Sequence, residues 1–327
     1  MAPSLFRSPV QLPPAEALEL SKQAPAILRS SPITTSSSAI SALFSAPEKP
    51  EQWISYENLI LSSLRTGDNK AANQCLARLV ARFGDDNERV MALRGLVKEA
   101  EAQNNGELDK ILKEYDQILS ENDTNIPIMK RRIALLRSMS RLPDAANALV
   151  QLLDFSPTDA EAWSELSDLY FTQGLYPQAI YAEEEVLVLA PNAWNVHARL
   201  GELQYMAATA SGANGGSYHK HVAEALKRFS RSIELCDDYL RGYYGLKLVT
   251  GRILKDSVKA IKLTDEGDFV LPDTKTIERL NQLATAKLAE IVRHSTAQDR
   301  GWRGYSTAEV AAARELLSGD SSSGVVR

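Results

Sequence analysis

With 327 residues, 44% hydrophobic and 24% charged, the chain carries enough apolar material for a large core, and its net charge of −5 argues against a general nucleic-acid binder. Its two cysteines, Cys75 and Cys236, form no CxxC pair and exclude a disulfide framework beyond one long bridge, so a reducing, cytosolic setting is expected. No run approaches about 18 consecutive apolar residues. Pro3, Pro9, Pro13 and Pro14 break any secretory core, and GDSSSGVVR lacks a lipidation signal, so membrane association is expected to run through partners.

Residues 1 to about 48 are rich in proline and serine, and SSPITTSSSAISALFSAPEKP shows no helical period. The stretch reads as a partly extended arm with apolar points that can dock on the rest. A short helix is predicted around Pro14 to Ser21, with Ala17, Leu18 and Leu20 near one face, and Pro25 is expected to interrupt it. From about Pro50 the pattern turns helical. Trp53, Tyr56, Leu59, Ile60 and Leu64 keep the 3–4 spacing of one buried stripe. Thr66-Gly67-Asp68 makes a turn. Ala71, Ala72, Cys75, Leu76, Leu79 and Phe83 form the return helix, capped by Gly84. A second pair runs from Val90 to Ala102, turns at Asn104-Asn105-Gly106, and returns from Leu108 to Leu119 with Ile111, Leu112, Tyr115 and Ile118 on its apolar face.

The next two pairs, roughly 126–157 and 160–191, superpose when the chain is slid by 34 residues. Met129 meets Trp163, Leu136 meets Tyr170, and Ala145 meets Ala179. Leu153 meets Leu187, Phe155 meets Leu189, and the turn residue Ser140 meets Gly174. Pro157 and Pro191 close the two units. Ala145 and Ala179 are small because the two helices of a unit cross there. A period of 34 with this pattern is the signature of the tetratricopeptide repeat, a helix–turn–helix unit that stacks into a scaffold.

A fifth pair starts over Ala193 to Ala207, where His197, Leu200 and Gly201 hold the places of Trp163, Leu166 and Ser167. The register then breaks at ATASGANGGSYHKH, read as an inserted Gly-rich loop around 210–217. The second helix resumes as VAEALKRFSRSIEL, about 12 residues late. A sixth pair begins at Asp238 with Tyr243, Tyr244, Gly245 and Leu248. DEGDFVLPDT is a polar break. Thr274 to His294 is a long amphipathic helix through Ile277, Leu280, Leu283, Leu288 and Ile291, and Ser306 to Glu309 has capping-box spacing for a last helix to Leu317. The predicted fold is all-α: a tetratricopeptide-repeat superhelical solenoid of about six helix pairs over 49–261. The Pro/Ser-rich arm, 1–48, precedes it, and C-terminal capping helices with a short tail, 262–327, close it.

The segments QCLARLVARF, YDQILSENDTN, KRRIAL and DAEAWSELSDLY, in this order, resemble the family of subunit 2 of the endoplasmic reticulum membrane protein complex. The resemblance covers about residues 50 to 250. It implies a non-catalytic scaffold subunit, peripheral on the cytoplasmic side of the endoplasmic reticulum membrane. The family's complex inserts tail-anchored and some multi-spanning proteins. Its subunit 2 holds cytosolic segments of membrane subunits together with a soluble partner subunit.

The residues themselves point away from chemistry, and neither cofactor nor metal is expected. There is no GxSxG nucleophile motif and no GxxxxGK[ST] phosphate loop. His197 falls on a buried stripe and reads as packing. His219 and His221 lack a third metal ligand nearby. Glu183-Glu184-Glu185 point in different directions on a helix and read as a solvated face. Lys130-Arg131-Arg132, and Lys227-Arg228 with Arg231, read as surface charge or as contacts for an acidic partner tail.

Partner-binding candidates come from repeat geometry, because first helices line the inner surface of such a superhelix. Their exposed positions are Lys130, Arg131 and Arg137, then Ser164, Asp168 and Phe171, then Asn195, Arg199, Glu202 and Tyr205. This mixed-charge groove, with Phe171 and Tyr205 as apolar anchors, suits an extended partner segment. The alternative is a co-chaperone that clamps chaperone C-terminal tails. That clamp wants asparagines where Ala134 and Glu165 stand, and Glu165 would repel a carboxylate. Helical-repeat RNA binding is opposed by the acidic balance and the negative inner residues.

Overall fold

A computed structural model describes residues 13–30, 50–212, 217–257, 271–302 and 304–323. Its described residues form fourteen α-helices, one 3-10 turn and no strand. The Gly-rich stretch 213–216, most of the Pro/Ser-rich arm and most of the polar break lie outside the described residues. The chain forms two compact units, Met1–Phe155 and Ser156–Arg327.

In the first unit, α1 (Pro14–Ser30) packs on α2 (Pro50–Thr66) and α3 (Asn69–Phe83). Then come α4 (Glu88–Glu101), α5 (Asn105–Glu121), α6 (Ile126–Ser138) and α7 (Leu142–Phe155). Helix α1 corrects the expected arm. Pro25 lies inside it rather than ending it. The buried stripe runs through Ala17, Leu20, Ser21, Ala24 and Leu28, while Leu18 is exposed. Tertiary packing overrides the proline: Ala24 and Leu28 join a core with Tyr56, Leu59, Ile60, Cys75 and Leu79. Burying such a side chain stabilises by roughly 1.5–3 kcal/mol, comparable to the roughly 3 kcal/mol a mid-helix proline costs. The links Thr66 Oγ1–Ser21 Oγ at 3.0 Å and Arg78 Nη2–Leu28 O at 3.1 Å fix its direction.

The turns follow from the local sequence. Gly67, Ser140 and Gly174 all have positive φ, at 77°, 60° and 74°. After each, the next amide reaches back five residues: Asp68 to Ser63, Arg141 to Leu136, and Leu175 to Tyr170. These are the same left-handed helix terminus, which glycine adopts freely. Asn125 and Asp159, one period apart, each cap their helix by accepting an amide N–H at 3.1 Å. Asn105 opens α5, so the turn expected at 104–106 is partly its first helical turn, with Asn104 as cap.

In the second unit, α8 (Ala160–Thr172), α9 (Tyr176–Leu189), α10 (Trp194–Ser211), α11 (Tyr218–Leu235), α12 (Leu240–Ser257) and α13 (Thr274–Ala297) pack successively. A 3-10 turn (Arg300–Trp302) and α14 (Thr307–Ser323) follow. Ala145 and Ala179 are both fully buried. Trp163 Nε1 donates to Pro157 O at 2.9 Å, and His197 Nε2 bonds Pro191 O at 3.0 Å. One ring nitrogen on the closing proline's carbonyl thus recurs one period later. The helices on either side of the insertion reach further than expected. α10 runs on to Ser211 and α11 starts at Tyr218, because Ala207, Ala208 and Tyr218 are buried and hold both extensions. The capping box opening α14 is reciprocal: Glu309 N to Ser306 Oγ, and Ser306 N to Glu309 Oε2, both at 3.1 Å. On α13, Ile277, Ala284, Leu288 and Ile291 form the buried stripe, whereas Leu283 is exposed.

Candidate partner-binding surface

The ten expected contact residues divide between the two units. In the first, Lys130 and Arg137 are exposed, and Arg131 is half-buried. Arg131 on α6 pairs with Glu99 on α4, with Nε at 3.2 Å from Oε1. The same carboxylate accepts from Tyr115 Oη of α5 at 2.5 Å. Burial, then the Glu99 charge, pushes the Tyr115 phenol well above its ordinary range. Arg132 turns the other way and bonds Asp116 at 2.7 Å. The basic run therefore does not act as one patch: Arg131 and Arg132 brace separate helices. Glu99 also borders a recess of about 370 Å³ where α2, α4 and α6 converge, walled by Leu61, Leu64, Leu96 and Leu135.

In the second unit Arg199 is the hub. Its Nη2 meets Asp168 Oδ1 of α8 at 2.6 Å, and its Nη1 meets Glu202 Oε2 one turn on at 2.7 Å. Its guanidinium lies over the Phe171 ring, 4.8 Å from the centroid. Phe171 meets Tyr176 edge-on at 6.0 Å. Ser164 is half-buried on α8. Asn195, Arg199, Glu202 and Tyr205 line one cavity of about 310 Å³ between the first helices α10 and α12. Its other walls are aromatic and apolar: Met206, Phe229, Tyr239, Tyr244 and Leu248. Arg241 stands at it, tied to Glu309 of α14 at 2.6 Å. An apolar pocket with two arginines and one glutamate along it suits a side chain with an apolar body and a polar end.

Sequence reasoning did not place Tyr239, Met206 or Arg241 at this site. Arg241 could have been found, since it stands 46 residues after Asn195, one period lengthened by the insertion, although its tie to Glu309 depends on a residue far along the chain. Tyr239 falls one residue before its helix, where repeat geometry names no exposed position. The cavity needs two glycines. A Cβ on Gly245 would collide with the Phe229 ring, and one on Gly201 would come within 3.1 Å of it.

Glu183 corrects the expected solvated face. It is 2% exposed, and its Oε2 has no hydrogen-bond partner. It lies on α9 near Ser167 and Asp168 of α8 and Arg199 and Glu202 of α10. Burial raises its pKa to about 7, against the pull of Ser167 and Arg199. His221 is engaged through Nδ1 with Gln204 at 2.6 Å, and His219 meets the Tyr218 ring edge-on at 5.4 Å.

The family model described as the EMC2 TPR-like repeat domain matches residues 86–214. A TPR repeat protein, oca3, of Schizosaccharomyces pombe is 32% identical over 76% of this chain and 88% of its own length. The chain belongs to the ER membrane protein complex subunit 2 family of tetratricopeptide-repeat proteins. ER membrane protein complex subunit 2 of Xenopus tropicalis is 28% identical over 71% of this chain and 74% of its own. The Saccharomyces cerevisiae protein of that name is 26% identical over 52% and 59%. The family match spans α4 to α10 and so takes in Arg131, Asp168 and Arg199.

Proposed function

We propose that this member of the subunit 2 family is a non-catalytic scaffold subunit of an endoplasmic reticulum membrane protein insertion complex. It sits peripherally on the cytoplasmic side. It holds cytosolic segments of membrane-embedded subunits, together with a soluble partner subunit. Similarity to the Xenopus tropicalis protein named ER membrane protein complex subunit 2, over most of its length, supports the complex. The cavity between α10 and α12 carries the binding reading, because it gathers four predicted contact residues around aromatic walls. No helix among the described residues is long and apolar enough to cross a membrane, which fits attachment through partners.

In this reading Arg199 and Arg241 steer an acidic or polar segment, and Tyr205, Tyr239 and Tyr244 receive an apolar side chain from it. A photo-crosslinking amino acid replacing Tyr205 tests this in solubilised membranes. The expected product is one dominant adduct with a membrane subunit, lost on Tyr239→Ala. An adduct pattern unaffected by Tyr239→Ala, or no adduct in an intact complex, would contradict the binding role.

A further inference from the structure

A recess of about 370 Å³ is lined by His197 of α10 and by Lys227, Arg228, Ser230, Arg231 and Glu234 of α11. It is separate from the Arg199 cavity, since residues two apart on a helix point roughly 200° apart. His197 is only 7% exposed. Its Nε2 faces the Pro191 carbonyl, which can only accept, so Nε2 carries the proton. Nδ1 is then a bare lone pair, buried with no hydrogen-bond partner. Arg228 Nε is likewise buried without a hydrogen bond. Its nearest charges are Glu224 Oε2 of α11 at 3.7 Å and, from Nη2, Glu184 Oε1 of α9 at 3.4 Å. Lys227 reaches Glu224 at 3.7 Å, and Arg231 reaches Glu234 at 3.1 Å.

Buried polar atoms without partners are rare and costly, and here two belong to residues that line one recess with three cations around it. Glu234 is the one carboxylate among the lining residues. Burial, with Arg228 and Arg231 adding to it and the Pro191 carbonyl opposing, pushes the His197 pKa below its ordinary value. The imidazole of the open recess is therefore neutral, and an anion entering beside it would reverse that balance.

We propose that this recess is an oxyanion site that takes a phosphomonoester carried on a protein segment. Arg228 Nε–H, Lys227 and Arg231 donate to the phosphate oxygens. His197 takes a proton from solvent at Nδ1 and donates it to a further oxygen, while Nε2–H keeps its bond to Pro191. A phosphomonoester offers three oxygens and a second charge, which suits three cations and a histidine that must become charged. A carboxylate offers two oxygens and a single charge. A lipid headgroup is disfavoured because a chain of net charge −5 is repelled by an anionic bilayer and because the histidine is recessed.

The test titrates N-acetyl-O-phosphoserine N-methylamide into the full chain by calorimetry, in buffers of different ionisation enthalpy. Saturable binding with proton uptake near neutral pH is expected, weakening as pH rises. Lys227→Gln with Arg231→Gln should weaken it at least tenfold. These side chains are 71% and 47% exposed, so the fold should survive. Ring-nitrogen NMR should show His197 Nδ1 becoming protonated on saturation. The proposal is overturned by any of four results: no binding, unchanged affinity in the double variant, binding without proton uptake, or equal affinity for N-acetyl-aspartate N-methylamide. Binding to phosphatidylserine vesicles but not to the phosphoserine probe also overturns it.

Discussion

At Glu183 a single carboxylate sets a pH dependence. Its pKa is about 7 in the folded chain against an ordinary 4.5. The folded state therefore holds the proton more tightly than the unfolded state. The resulting stability is fully present below about pH 4.5 and is lost as pH rises through 7. Glu183→Gln removes the titration, and Ser167 Oγ has a lone pair to accept from the new amide. The variant should melt higher than the parent at pH 8, being more stable by on the order of 3 kcal/mol, and match it near pH 4.5. Equal differences at both pH values would contradict this account. Other residues make similarly local demands. Ser140 holds a left-handed φ of 60° where Gly67 and Gly174 stand in the sister turns. Ser140→Gly should stabilise by about 1 kcal/mol in denaturant unfolding, since the left-handed region costs an L residue about that much. Cys75 is fully buried, and burial lifts its thiol pKa to about 12, whereas Cys236 is half-buried. Maleimide should therefore label Cys236 well before Cys75 under native conditions.

At the scale of elements, small residues decide whether helices can meet. Ala179 is fully buried at the crossing of α8 and α9, where its carbonyl accepts from Ser167 Oγ at 2.9 Å. Ala179→Trp should destabilise by about 3 kcal/mol or more, because overpacking there has no route of relief. An unchanged melting temperature would sink the repeat register. Gly245→Ala drives a methyl into Phe229, so about 1–3 kcal/mol of overpacking is expected, together with a deformed cavity wall. The helix pairs were legible in the sequence because apolar spacing, caps and closing prolines agreed from Trp53 to Leu189. The capping box at Ser306 was legible for the same reason. Helix α1 past Pro25 was not, because propensity favours a break and only packing against α2 and α3 outweighs it. The ends of α10 and α11 were hidden as well. The start of α11 is fixed by the burial of Tyr218, whose hydroxyl bonds Asp256 and Arg252.

For the whole molecule, the family was legible from four short segments, and the relatives' identities agree with it. The proposed binding surface was only half legible in the sequence. Repeat geometry named the exposed positions of first helices, but not which of them neighbouring helices would claim. Arg131 went to Glu99 and Arg199 to Asp168 and Glu202, by pairings that depend on side chains from other helices. The central claim, a scaffold subunit of a membrane complex, is tested most directly by purifying the tagged chain from detergent-solubilised membranes and quantifying what accompanies it. The account predicts a fixed set of integral membrane proteins and a soluble partner, in amounts equal to the chain and stable in high salt. Recovery of the chain alone, or with a chaperone that high salt removes, would contradict it.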